Sequence, residues 1–192
     1  VSILTALISV ALAIFFAYSV RMNARLSWVN RLLGFGYALP GAVLAIGILS
    51  FLEIFQLAWW MSASMLVLIY AYLVRFLSSS LQSVEAGLAR ITPSMDASAA
   101  LLGLSKGQIL KRVHVPLLKR SLITAGLFVF VDVMKELPAT LLLRPFNFDT
   151  LAVATYQLAA DERLAELALP SLTIVLVGLF PVLLLSKVIS KS

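Results

Sequence analysis

Asp132, Lys135 and Glu136 stand inside the apolar run 122–143, and Glu53 stands near the end of another, 37–55. A charge at mid-depth in hydrocarbon costs about 3 kcal/mol on insertion scales, so such side chains must face protein or water. Spacings of three and four residues place Asp132, Lys135 and Glu136 along one helical face. An Asp132–Lys135 ion pair is one reading of the trio, and it leaves Glu136 without a local cation. The functional reading has Glu136, with Asp132, lining the route of a hard cation, for which carboxylate oxygens are suitable ligands. Two readings stand for Glu53, lining a pathway or reaching out to lipid headgroups.

Other chemistry is thin. There is no GxxxxGK[ST] phosphate cradle and no nucleophile elbow, and His114 is the only histidine in a chain without cysteine. One imidazole cannot complete the common acid–base constellations, and thiolate metal sites and disulfides are excluded. The expectation is therefore a protein that is not an enzyme, with no catalytic residues, no firm metal site and no cofactor. His114 itself is expected to make a plain polar contact.

The elements that must position these charges follow from composition. Of 192 residues, 61% are hydrophobic and 12% charged, and a mean hydropathy of +1.03 describes a chain whose solvent is largely lipid. Spanning about 30 Å of hydrocarbon takes roughly 20 helical residues. Five apolar runs meet that need, at 1–20, 37–55, 59–77, 122–143 and 167–189. The first lacks a basic leader and a small-residue cleavage site, so it reads as a span and not as a signal peptide. The fold class expected is all-α, a polytopic membrane bundle of about five helices forming a single domain over residues 1–192.

Lys and Arg in short loops stay on the cytoplasmic side. Arg21, Arg25 and Arg31 follow the first run, and Arg90, Lys106, Lys111, Arg112, Lys119 and Arg120 crowd the third connection. Both are expected inside, as is the C-terminus with Lys187 and Lys191. The turn bearing Trp59 and Trp60 and the net acidic fourth connection are expected outside. Topology and anionic lipid account for the net charge of +6, so no nucleic-acid partner is expected. In the second run, GFGYALPGAVLAIG, Pro40 suits a first helical turn, and Gly41 and Gly47 permit a close approach of a neighbouring helix.

Between the third and fourth runs lies the polar, cationic stretch MDASAALLGLSKGQILKRVHVPLLKRSL, residues 95–122. Pro93 or Ser94 can start a helix that carries Met95, Ala99 and Leu102 on one side and stops at a left-handed Gly103. Ser105 and Gln108 form a capping-box pattern for a second short helix with Ile109, Leu110 and Val113 as its apolar stripe, and Pro116 is expected to end it. Such a knob is too short to hold its own core. Its apolar side must pack on the bundle, on a partner protein or on the lipid surface.

The small residues, Gly103, the cationic helix and the Val115–Pro116 step resemble the EAA loop of the membrane subunits of bacterial ATP-binding-cassette (ABC) importers. The family's Glu position falls at Ala97, with Asp96 just upstream and Ser98 and Ala99 following. A second stretch, VDVMKELPATLLLRPFNFDTLAVATYQLAADERLAELALP at 131–170, is similar to the end of the iron(III) importer permeases, and YALPG in the second run is similar too.

The resemblance implies a type I ABC importer permease fold and the C-terminal half of a larger permease, with residues 93–117 as its cytoplasmic coupling loop. It implies that Asp96, Ala97, Ser98, Ala99, Gly103, Ser105, Gln108 and Pro116 dock an ATPase. It further implies inward movement of iron(III) by alternating access. The partners implied are a cytoplasmic ATP-binding subunit expected as a dimer, an extracytoplasmic substrate-binding protein and the other permease half, fused or separate, all at the bacterial inner membrane. Permeases for sulfate, thiamine or polyamine, and an ATPase-independent secondary transporter, are the alternatives.

Overall fold

In the computed structural model of the chain, which describes residues 1–56 and 64–189, helix α1 (Ser2–Met22) turns Thr5, Ser9, Ala13 and Ala17 inward at four-residue intervals. Side chains this small let helix backbones approach closely, which is how helices associate where apolar burial offers little net drive. α1 packs on α4 (Met65–Leu88) and α7 (Val115–Met134). The hydroxyls of Ser9 and Ser80, 2.7 Å apart, join α1 to α4. From α7, Ala125, Val129 and Val133 repeat every fourth residue into the same core. One apolar cluster gathers Ala6, Leu68, Tyr72, Val129, Val133 and Leu143, and a second gathers Ala13, Ala17, Leu81, Val84, Leu118 and Ala125. The three helices thus share two stacked core layers along their length.

Around this centre run α2 (Ser27–Gly34) and α3 (Gly41–Ile54), then α5 (Pro93–Leu101) and α6 (Lys106–Ile109), and finally α8 (Pro138–Leu143), α9 (Leu151–Ala160) and α10 (Leu164–Ile189). α1, α4 and residues 164–183 of α10 are long and apolar enough to cross a membrane. α10 leaves Leu169, Leu172, Val175, Leu176 and Phe180 exposed, as a lipid-facing helix would.

The third expected run, 59–77, continues as α4 to Leu88, and two other runs are divided. The run 37–55 is not one straight helix. Ala24–Ala38 and Gly41–Ile54 form a pair bent by 112°, because Pro40 cannot donate to the preceding turn and α3 restarts after it with Pro40 extended at ψ 134°. α3 alone, at 14 residues, reaches about 21 Å and falls short of a hydrocarbon slab. The run 122–143 is likewise divided, α7 ending at Met134 and α8 starting at Pro138. In α9 the buried residues are Ala152 and Val153. Trp59, Trp60, Lys191 and the Lys187 side chain lie outside the described residues.

Candidate functional site: the loop and the interior charges

The loop between α4 and α7 is built by local signals. Pro93 occupies the first turn of α5, where its missing N–H costs nothing. At the other end Gly103 takes φ +79°, and the N–H groups of Gly103 and Leu104 bond back to Ala100 O and Ala99 O at 2.9 and 3.2 Å. This left-handed closure satisfies helix-end carbonyls that would otherwise be orphaned. Ser105 then caps α6 reciprocally: its N–H donates to Gln108 Oε1 at 2.8 Å and its Oγ accepts from the Gln108 N–H.

Pro116 does not end the helix. Leu110–His114 form a single π turn in which the Val115 N–H reaches Leu110 O, and α7 continues with Pro116 in its first turn. The wider turn takes the carbonyl that a proline ring would strike out of its α-helical position, so the loop feeds into α7 without a break.

Of the residues expected to dock an ATPase, Ala97, Ser98, Gly103, Ser105, Gln108 and Pro116 are exposed, Ala99 is buried and Asp96 is largely covered. The expected apolar side divides too: Ala99 faces the bundle, whereas Met95 and Leu102 face away. Leu101 and Leu102, 89% and 82% exposed, stand at the tip beside Gly103. Asp96 points inward. Its Oδ2 accepts from Arg21 Nε at 2.8 Å and its Oδ1 lies 2.6 Å from Nε2 of His114, a residue with no solvent exposure. Burial pushes the Asp96 carboxyl up, but Arg21 and His114 outweigh it and hold the group below its ordinary range. His114 makes the polar contact expected of it, and it does so from full burial.

The interior charges are arranged differently from the expected single face. Asp132 does pair with Lys135, 2.9 Å away. Glu136 leaves that face because α7 stops at Met134. Its carboxylate turns to the start of α8, accepting from the N–H groups of Ala139 (3.1 Å) and Thr140 (3.2 Å). The Thr140 hydroxyl donates to the Glu136 carbonyl at 2.8 Å and lies 2.6 Å from the Tyr72 hydroxyl. The cation missing near Glu136 in sequence arrives from α4: Arg75 Nη1 is 3.1 Å from Glu136 Oε1.

Gly41 makes room for this pair. A Cβ there would overlap both the Arg75 guanidinium and the Glu136 carboxylate, so the glycine of YALPG works by close approach. Gly47, given the same role from sequence, has nothing within 4 Å of an added Cβ. Glu53 is exposed in the last turn of α3. Among the described residues, no three or more His, Cys, Asp or Glu side chains are grouped to hold a metal ion.

Sequence reasoning passed over Arg75 and Tyr18. Arg75 carried a usable signal, a lone cation inside the apolar run 59–77, which by cost alone demands a partner. Tyr18 carried none, because its hydroxyl donates to Lys106 O at 2.9 Å from 88 residues away.

No family model matches the chain. It is 29% identical over 165 residues to the Fe(3+)-transport system permease protein FbpB 2 of Haemophilus influenzae, covering 83% of this chain and 31% of that protein. It is 30% identical over 152 residues to the PhnV permease protein of Salmonella paratyphi A, named for 2-aminoethylphosphonate transport, covering 79% of this chain and 56% of that protein. The Salmonella typhimurium PhnV is similar to the same extent. The chain therefore spans about a third to a little over half the length of these relatives. A solved structure of a bacterial ABC transporter involved in the import of the acidic polysaccharide alginate aligns with a TM-score of 0.67 at 12% identity, over 97% of this chain and 78% of that one. The bent pair, the loop and the divided fourth run are thus parts of an ABC transporter permease fold, in a chain whose sequence resembles transport-system permease proteins, an Fe(3+)-transport permease among them.

Proposed function

We propose that this chain is the membrane-spanning part of an ABC importer, passing a small solute inward by alternating access while a separate cytoplasmic ATPase supplies the energy. The observation that carries the proposal is the loop 93–117, which presents Leu101 and Leu102 to its surroundings on a helix too short to stand alone. A cleft on an ATPase would bury that tip, with Ala97, Ser98, Gly103, Ser105, Gln108 and Pro116 around it. The loop end is then cytoplasmic, as is the C-terminus, in a bacterial inner membrane. A substrate-binding protein meets the opposite end, and a second permease half completes the pathway.

Iron(III) is the first cargo to test, on the strength of the Fe(3+) permease relative, with Asp132, Glu136 and Glu53 as candidates for its route. A second reading, an anionic solute such as a phosphonate, rests on a specific feature. Glu136 is taken up by Arg75 and by α8, Asp132 by Lys135, and the buried Nε of Arg75 has no hydrogen-bond partner among the described residues. A free guanidinium N–H favours an oxyanion over a cation.

Copurification tests the class. Detergent-extracted full-length permease brings down an ATPase subunit, and deleting residues 95–113 abolishes this; an intact complex after the deletion contradicts the docking assignment. Parallel uptake of ferric ion and of 2-aminoethylphosphonate by the reconstituted transporter decides between the cargoes.

A further inference from the structure

We infer that Arg21, Asp96 and His114 form a polar pin that makes the coupling loop a rigid extension of α1 and α4, so that Asp96 positions the loop and is not itself a contact for the ATPase. This rests on the importer reading above.

The loop needs such a pin. Its two helices have nine and four residues, and within them only Ala99 and Ile109 are buried hydrophobics, far too little apolar contact to fix a protrusion by packing. What replaces packing is a set of directed bonds from a few side chains. Arg21, in the last turn of α1, sends Nε to Asp96, Nη1 to Leu88 O at 3.0 Å and Nη2 to Ile91 O at 2.8 Å. Leu88 is the last residue of α4, and its carbonyl accepts from the Ile91 N–H as well as from Arg21, so the same guanidinium joins the turn after α4 and binds the two long helices to the loop.

Asp96 then passes the connection onward. Its second oxygen meets His114, 18 residues later at the root of α7, closing the loop on itself. Tyr18, one turn before Arg21, sets its ring edge-on to His114 at 5.2 Å between centroids and donates to Lys106 O at the start of α6. Four side chains thus join α1, α4, α5, α6 and α7 at one point.

Charge-assisted bonds are the strong ones, and a carboxylate with both oxygens engaged inside its own chain is poorly placed to engage another protein. A push on Leu101 and Leu102 is therefore delivered to α1 and α4 through Asp96, instead of being absorbed by a swinging loop.

The test uses the complete transporter, permease with ATPase and binding protein, in proteoliposomes. Asp96→Asn keeps the shape and weakens both bonds. The expected result is about a tenfold fall in solute moved per ATP hydrolysed, with the ATPase still copurifying, and partial recovery in Asp96→Glu. In hydrogen exchange, amides of residues 93–114 exchange about tenfold faster in Asp96→Asn while those of α1, α4 and α7 keep their rates, a readout independent of assembly. An unchanged ratio with unchanged exchange overturns the pin. Loss of the ATPase from Asp96→Asn with normal loop exchange also overturns it, making Asp96 a docking contact. Failure of the wild-type permease to bind any ATPase overturns the importer reading itself and is distinct from both.

Discussion

Two of the chain's charge clusters, one at the loop and one within the bundle, use paired charge in opposite ways. At the loop, Arg21, Asp96 and His114 draw polar groups inward and leave an apolar tip exposed. Within the bundle, Arg75 and Glu136 bury a pair in order to hold a break in the helices, Glu136 capping α8 while Arg75 reaches it from α4 beneath Gly41. The difference teaches how a lipid-soluble fold uses charge. At the loop, ion pairs hold an exposed apolar tip in place; in the bundle, they satisfy backbone groups that a broken helix releases. The first is a handle and the second a joint.

Removing one member of the interior pair is the severest way to break this contrast. In Glu136→Gln the Arg75 cation loses its counter-charge and α8 its ionised cap, a loss of about 3 kcal/mol given that Arg75 keeps some outside exposure. Thermal unfolding in detergent measures it, and a melting point equal to wild type would remove the joint from the account.

A subtler change keeps every charge. Gly41→Ala places a methyl where Arg75 and Glu136 meet and costs roughly 1–3 kcal/mol by overpacking, whereas Gly47→Ala, in open space within the same helix, gains about 0.5–1 kcal/mol. Opposite signs for two glycines six residues apart are expected in the same assay; equal signs would mean that Gly41 is not shaped around the pair.

In the loop the corresponding perturbation is smaller. Gly103→Ala forces a side chain into the left-handed region at φ +79° and costs about 1 kcal/mol. It should leave global melting nearly unchanged and show itself as faster exchange of the amides following Ala100.

How far each region was legible in the sequence tracks the range of its interactions. Gly103, the Ser105–Gln108 box and Pro93 act within a few residues, so the loop's helices could be read directly. Pro116 misled because a π turn, which leaves no compositional mark, absorbs it. The interior pair was hidden because Arg75 and Glu136 are 61 residues apart, and the pin because Arg21 and Asp96 are 75 apart. Helical spacing placed Glu136 on the face of Asp132 only on the assumption that α7 runs on, and the helix stops two residues too early for that.

The central claim, that the loop tip is the seat of an ATPase, is tested most directly by proximity at that tip. With Leu102→Cys in an otherwise cysteine-free chain, a short thiol cross-linker applied to membranes carrying the whole transporter should join the permease to its ATPase subunit in a nucleotide-dependent manner. The same probe at exposed Phe146, in the connection after α8, should not. Cross-linking from Phe146→Cys with none from Leu102→Cys would place the ATPase at the other end of the bundle and contradict the account.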